Sequence, residues 1–260
     1  MTLPDGSCVD AKFSVTTTSD MPDNTTFAFY LSAQGTFYID WGEGNNTPAE
    51  IIPHDNTTET LYSHTYTTGG EKIIRFGGVA TKYNANATRT IRFGNTTNTT
   101  DATPSLVSAI SGSLGEMFPT LDTGVNKIPA FGNTFTSTKI TSIPENLFAG
   151  IYDSIPYMFQ NTFSYSTVST IPANLFRDIT TPATGLFQNT FFSTRSLNTI
   201  PSTLFHSIHG SANNMFQNTF RESGLTSIPP ELFQTITGSA NQLFDATFMQ
   251  CSLTSIPENL

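Results

Sequence analysis

Two hydrophobic periods divide the chain. Up to about residue 95, apolar and aromatic residues recur at every second position in short runs. These are Phe27-Ala28-Phe29-Tyr30-Leu31, Thr36-Phe37-Tyr38-Ile39-Asp40-Trp41, Lys72-Ile73-Ile74-Arg75-Phe76 and Arg89-Thr90-Ile91-Arg92-Phe93. Clusters of Gly, Asn, Asp and Pro separate the runs, a pattern that predicts the short strands of an antiparallel sandwich. The Asn- and Thr-rich stretch closing at Pro104 reads as a low-complexity linker, giving expected domains 1–95 and 106–260 on either side of 96–105.

Beyond the linker the period lengthens. The Ile-Pro pair recurs with its Pro at 144, 172, 201, 229 and 257, in steps of 28, 29, 28 and 28. One copy reads Leu225, Ile228-Pro229, Leu232-Phe233, Ile236, Leu243-Phe244 and Thr247-Phe248. The copy before it has Leu197, Ile200-Pro201, Leu204-Phe205, Ile208, Met215-Phe216 and Thr219-Phe220, and a degenerate opening copy covers about 106–135. A single copy cannot bury its own Leu, Ile and Phe, but stacked copies can, so a fixed period of this length predicts a solenoid. The repeated Phe148, Phe163, Phe176, Phe191, Phe205, Phe220, Phe233 and Phe248 are expected in its core.

The segment Phe248-Met249-Gln250-Cys251-Ser252-Leu253-Thr254-Ser255-Ile256-Pro257 is similar to the F-x-x-C-x-L-T-x-I-P signature of BspA-like leucine-rich-repeat surface proteins. That resemblance implies an α/β leucine-rich-repeat solenoid of about 28-residue repeats over 106–260, the last repeat incomplete. It also implies a ladder role for Cys251, with Ser166, Thr194 and Ser223 standing in for it in other copies. Two placements of the parallel strand stay open. One puts it on Leu225-Thr226-Ser227-Ile228, with Pro229 opening a helical turn; the other puts it on Gln217-Asn218-Thr219-Phe220. With the first, Asn133, Asn161, Asn189 and Asn218 read as a buried ladder bonding the backbone. The amino-terminal half, through Asp40-Trp41-Gly42-Glu43-Gly44 and Ser63-His64-Thr65-Tyr66 with Gly69-Gly70, resembles PKD and other immunoglobulin-like modules of bacterial surfaces. Glu43 departs from the D-W-G-D-G form of that family by one methylene. The fold expected is therefore an all-β immunoglobulin/PKD-like sandwich followed by the α/β solenoid.

Composition narrows the functions. Charged residues are 12% against 37% hydrophobic, and polarity rests instead on Ser, Asn and Thr, the last about one residue in six. A net charge of −9 opposes nucleic-acid binding. No run approaches the roughly 20 apolar residues of a membrane span. Cys8 and Cys251 form no disulfide framework and are expected as free thiols. The start MTLPDGSCVDAKF has neither the basic nor the apolar part of a signal peptide. An extracellular or cell-surface location would then require an export signal outside this chain or another route; retention inside the cell is the remaining alternative. The Asn-x-Thr triplets at Asn24, Asn45, Asn56, Asn86, Asn95 and Asn98 are what a Thr-rich chain produces by chance.

Catalysis is not expected. The chain has no G-x-S-x-G elbow, phosphate loop or dinucleotide fingerprint, and the carboxylates of the repeat half do not recur in register. His206 and His209 stand three apart with no Cys, Asp or Glu beside them to complete a zinc site. Asp40, Glu43 and Asp55 lack a calcium-loop pattern, and His64 reads as a structural hydrogen-bonding residue. No cofactor or metal is expected.

Binding is expected where the copies differ. The first zone follows the Thr-Phe pair and holds Tyr165 and Thr167, Phe192 and Arg195, Arg221 and Glu222, then Met249 and Gln250. The second follows the Leu-Phe turn and holds Tyr152, Asp153 and Tyr157, then Asp178, Thr180 and Thr181, and then His206 and His209. Aromatic and Arg side chains beside polar ones suit protein recognition. The reading is a non-catalytic surface adhesion or binding protein with a protein partner, from a host or a second copy. The alternatives are a self-assembling structural component, such as a phage fibre or surface layer, and carbohydrate binding through Trp41 and the Tyr residues. Trp41 itself reads first as a core anchor. The last copy stops at Ile256-Pro257-Glu258-Asn259-Leu260 without a polar cap, so a longer parent chain or another chain is expected to cover that edge.

Overall fold

A computed structural model of the chain describes residues 1–44, 47–85, 88–93, 103–258 and 260. The period-two runs become strands β1 (Phe13–Thr17), β2 (Thr25–Leu31), β3 (Gln34–Asp40), β4 (Glu50–His54), β5 (Thr60–Tyr66), β6 (Ile73–Lys82) and β7 (Ile91–Phe93). A short helix α1 (Thr103–Leu106), strand β8 (Val107–Gly112) and a second short helix α2 (Leu114–Met117) come next. Alternation sends one side of each strand inward: in β1, Phe13, Val15 and Thr17 are buried while Ser14 and Thr16 are half-buried. The strands pair antiparallel in two sheets, of order β4-β3-β6-β1-β8 and β5-β2-β7, consistent with an immunoglobulin-like sandwich. Phe13, Phe27, Phe29, Phe76 and Phe93 fill the space between them, Phe29 meeting Phe76 edge to face at 5.3 Å.

The residues expected as a linker lie outside the described ones except 103–105, which open α1. The chain beyond α1 joins the sandwich directly, since β8 pairs with β1 from Thr17↔Val107 to Phe13↔Gly112.

The α/β leucine-rich-repeat solenoid expected for 106–260 is not formed. The protein is nearly all β, with 23% strand, 3% helix and two antiparallel sheets. Among the described residues after 118 there is neither a helix nor a strand. The cause lies in the hydrogen bonding. Each Pro-x-x-Leu-Phe word closes a tight turn in which Leu147, Leu175, Leu204 or Leu232 donates to the carbonyl of Pro144, Pro172, Pro201 or Pro229, three residues back. The next bonds, from Ala149, Arg177, His206 and Gln234, again reach three residues back, so no helical i→i−4 ladder starts. Neither candidate strand, on 225–228 or on 217–220, is one; a single parallel bridge, Ser142↔Thr170, is all that the first placement yields.

In place of helix and strand the chain lays down turn-built ribbons at 131–137, 157–166, 185–194, 214–223 and 242–251, one upon the next. Backbone N–H groups alternate in use. In the third ribbon Phe187, Asn189, Phe191 and Ser193 donate to the carbonyls of Met215, Gln217, Thr219 and Arg221 in the following ribbon, at 2.8–3.0 Å. The residues between them, Gln188, Thr190, Phe192 and Thr194, close turns within the ribbon. Every second turn has positive φ at its third residue, as a type II turn demands: 55° at Asn189, 56° at Ser193 and 61° at Gly185. Gly185 is also required on steric grounds, because a Cβ there would stand 2.4 Å from the Tyr157 ring.

This four-residue rhythm sends pairs of side chains inward. Phe135, Phe163, Phe191, Phe220 and Phe248 form one column with ring centroids 5.4–5.6 Å apart and planes within 13°. A second column runs Phe131, Phe159, Phe187, Phe216, Phe244, and a third Phe148, Phe176, Phe205, Phe233. Beside them the buried hydroxyls of Thr162, Thr190, Thr219 and Thr247 donate to the carbonyls of Phe131, Phe159, Phe187 and Phe216 at 2.8–2.9 Å. The recurrent Asn161, Asn189 and Asn218 are explained by their positive φ, a conformation that Asn tolerates better than most residues. The side-chain ladder stands one residue earlier. Gln160 donates to Gln188 at 2.5 Å, Gln188 to Gln217, and Gln217 to Asp245 at 2.8 Å.

Cys251 occupies the column of Ser166, Thr194 and Ser223. Its Sγ lies 3.2 Å from the Ser223 hydroxyl and donates to the Phe220 carbonyl at 3.1 Å. Both cysteines are free thiols.

The sandwich seats the first ribbon. Thr90 and Phe93 donate their N–H groups to the carbonyls of Ala130 and Thr134 at 2.6 and 3.2 Å. The Phe93 ring stacks on Phe135 at 5.6 Å, so the aromatic core runs unbroken from the sheets into the coils.

Candidate functional site

The amino-terminal signature is spent on structure. Trp41 is 7% exposed, packs against Phe29 and stacks on His64 at 5.1 Å. Its indole N–H donates to Glu50 at 2.9 Å, and its carbonyl accepts the Tyr66 hydroxyl at 2.7 Å. Burial pushes that tyrosine's pKa well up, with the nearby charges of Glu43 and Asp40 adding to it. A ring so enclosed offers no face to a sugar. Asp40 is committed to the Gly42 N–H and the Arg75 guanidinium, and Glu43 to His64 at 2.9 Å. Among the described residues no three His, Cys, Asp or Glu side chains are grouped to hold a metal ion.

The ribbon edge is different. After each core Phe of the column Phe163–Phe191–Phe220–Phe248 come two residues outside that column. They are Ser164 and Tyr165, Phe192 and Ser193, Arg221 and Glu222, then Met249 and Gln250; Ser164 is buried, and the others are half-buried or exposed. The second of each pair is held at positive φ, 58° at Tyr165 and 59° at Glu222, where neither residue type is favoured. The stacked ribbon imposes this conformation and with it presents the side chain.

These edge residues touch across coils. Tyr165, 58% exposed, meets Phe192 edge to face at 5.1 Å, and the Arg221 guanidinium lies 5.8 Å from the Phe192 ring centre. Glu222 stands between two cations, 3.8 Å from Arg221 and 3.7 Å from Arg195. Arg221 also donates to Gln250 at 3.2 Å. Beside them Arg195, Glu222, Ser223, Gly224, Gln250 and Ser252 line an open hollow of about 380 Å³. Five of the residues expected to bind (Tyr165, Phe192, Arg195, Arg221 and Glu222) thus form one continuous stripe over three coils.

The second expected zone does not gather. Tyr152 is exposed, but Tyr157 lies over Gly185 and is half-buried. His206 and His209 are exposed on the tight turn after Leu204-Phe205, and no hydrogen bond or ring contact joins them to each other or to either tyrosine. Of the glycosylation triplets, Asn24 and Asn56 stand on exposed turns, and Asn45, Asn86, Asn95 and Asn98 lie outside the described residues.

Sequence reasoning found the stripe residues but missed what holds them. The signal was the recurrence every four residues of Asn, Gly or another residue held at positive φ, visible in Asn189, Asn218 and Gly185.

No protein-family model, curated protein or solved structure matches the chain. Among the described residues no helix is long and apolar enough to cross a membrane.

Proposed function

We propose that the chain is a non-catalytic recognition module of a cell surface that binds a protein partner along the ribbon edge. The observation that carries this reading is the continuous stripe Tyr165–Phe192–Arg221–Glu222–Arg195, built in the columns where copies differ while the columns beside it stay uniform. Here an exposed Tyr165 ring and a half-buried Phe192 ring stand beside guanidinium groups, and aromatic and Arg side chains are the usual centres of protein interfaces. Their alternation with a carboxylate favours a partner surface carrying both an apolar cleft and acidic groups. The cell-surface location rests on the uncharged-polar, acidic composition and on the resemblance of the signature residues to surface modules.

The test uses a panel of purified secreted and cell-surface proteins, screened by surface plasmon resonance against the full chain. The combined variant Tyr165→Ala, Phe192→Ala, Arg221→Ala is expected to keep its thermal transition and to bind any hit about 30-fold more weakly, the effect of losing about 2 kcal/mol at a hot spot. Hits that bind the variant as tightly as the parent chain count against the stripe.

A further inference from the structure

The two sheets of the sandwich end in β4, β8, β5 and β7, and the chain treats one of these edges differently. β7 is covered by the first ribbon, through the bonds from Thr90 and Phe93 to Ala130 and Thr134. β8 carries a register shift opposite Thr16 and Thr17 and gives its Val107 carbonyl to the Lys139 N–H at 2.8 Å. β4 is five residues long and holds Pro53 and the exposed Glu50. Short length, bulges, proline and charge are the usual means of keeping an edge from pairing. β5 has none of them. Its seven residues contain no proline, carboxylate, lysine or arginine, and they pair with β2 in unbroken register from Leu31↔Thr60 to Thr25↔Tyr66. Among the described residues no backbone bond reaches its other side.

The groups on that open side follow from β2. Ala28 and Ser32 donate their N–H groups to Thr103 and Thr90, on the side of β7. Residues alternate sides along a strand, so Phe27, Phe29 and Leu31 carry the bonds to β5, with His64, Tyr62 and Thr60 opposite them. Leu61, Ser63 and Thr65 then turn both N–H and C=O outward. All three are exposed, Leu61 by 50%. The two carboxylates beside the strand are already paired, Glu43 with His64 at 2.9 Å and Glu59 with Arg89 and Arg92 at 2.8 and 3.0 Å. Neither opposes an incoming strand as a bare charge.

We propose that β5 pairs with β5 of a second copy, antiparallel about a two-fold axis at Ser63. In that register Ser63 meets its own counterpart, and Leu61 faces Thr65 of the second copy on either side. Each facing pair exchanges two backbone bonds, and any other two-fold register leaves at least one outward residue without a partner. On the inner face Tyr62 comes beside His64 of the second copy, so that half-buried rings meet at cross-strand distance. The edge is complementary to itself, and this singles out a second copy over an unrelated strand. Pairing joins the two three-stranded sheets into one of six strands and stops there, because β7 at each far end is closed by its ribbon. The coils attach at those far ends, so the dimer carries two ribbon edges, whatever partner they bind. Two linked edges hold a repeating partner more tightly than one.

Strand pairing alone buries less than the roughly 1,200 Å² of a stable interface, so a dissociation constant of about 0.1 mM is expected. Sedimentation velocity would follow the full chain from about 5 μM to about 1 mM, in about 0.15 M salt to screen the net charge of −9 on each copy. Over that range amide exchange read by NMR should slow about fivefold at Leu61, Ser63 and Thr65. It should stay constant at Tyr62 and His64, whose amides already bond β2. Ser63→Pro removes the N–H at the axis and spares the β2 ladder, and Leu61→Lys sets an ammonium on the edge. Both should weaken association at least about tenfold and keep the thermal transition of the monomer. Leu61→Lys leaves the backbone untouched, so it decides the outcome if the proline variant does not fold. A chain that stays monomeric across the whole range would overturn the proposal. So would a dimer that Leu61→Lys forms as readily, or one in which the three amides exchange as they do in the monomer.

Discussion

A phenylalanine inside a column is stacked between rings on both sides and enclosed by the core around it. Phe191 stacks on Phe163 at 5.4 Å and on Phe220 at 5.5 Å and has no exposed surface. The stack cannot collapse into a gap without breaking cross-coil bonds on either side, so Phe191→Ala should cost about 3–5 kcal/mol. Urea denaturation would measure it. The sandwich holds a hydrogen-bonded charge cluster, where Glu59 binds Arg92 at 3.0 Å and Arg89 at 2.8 Å, and Arg92 lies 3.7 Å from the Tyr30 ring centre. Burial alone pushes the Glu59 carboxyl up, but the Arg92 hydrogen bond and the charges of Arg89 and Arg92 together hold it below its ordinary 4.5. With a lowered folded value, its contribution is present above pH 4.5 and fades as pH falls through the folded value. Glu59→Gln should therefore lower stability by about 1–3 kcal/mol at pH 7. The gap from the parent chain should close in acid, which melting temperatures across pH 3–7 would show.

In the ribbon, backbone conformation decides which side chains are tolerated. Asn189→Gly keeps the positive φ and should leave stability within about 1 kcal/mol of the parent. Asn189→Val puts a β-branched side chain at that φ and should cost about 1–2 kcal/mol or more. If the glycine variant lost as much as the valine variant, the Asn side chain rather than its φ would be responsible. The same distinction accounts for what the sequence revealed. Strands such as β1 announce themselves, because period-two burial is written directly in Phe13, Val15 and Thr17. The inward Phe of the coils were equally legible from their spacing. The path between them was not, since a Pro-x-x-Leu-Phe word opens a helix or a single turn with the same residues. Only the following N–H groups, bonded three residues back instead of four, choose between the two. Likewise Tyr165 and Arg221 stood out by type and by variation among copies, but their contacts depend on a diagonal between coils that no linear spacing contains.

At the scale of the molecule, one core joins the sandwich to the stack through Phe93, Phe135 and β8. Removing residues 186–214 takes out one coil and brings Phe216 to the place of Phe187. The shortened chain should unfold in a single transition, with a denaturant slope lower by about a tenth in line with the surface lost. Two separated transitions would mean that the sandwich and the coils fold apart. The ring spacing within the columns also fixes how far the protein extends. A copy of 28 residues separates successive rings of a column by only 5.4–6.1 Å, where the same residues drawn out as a strand would span roughly 90 Å. Length gained by duplication is thus spent on breadth. Each added copy widens the edge by one row of side chains without carrying the rows already present any farther from their support.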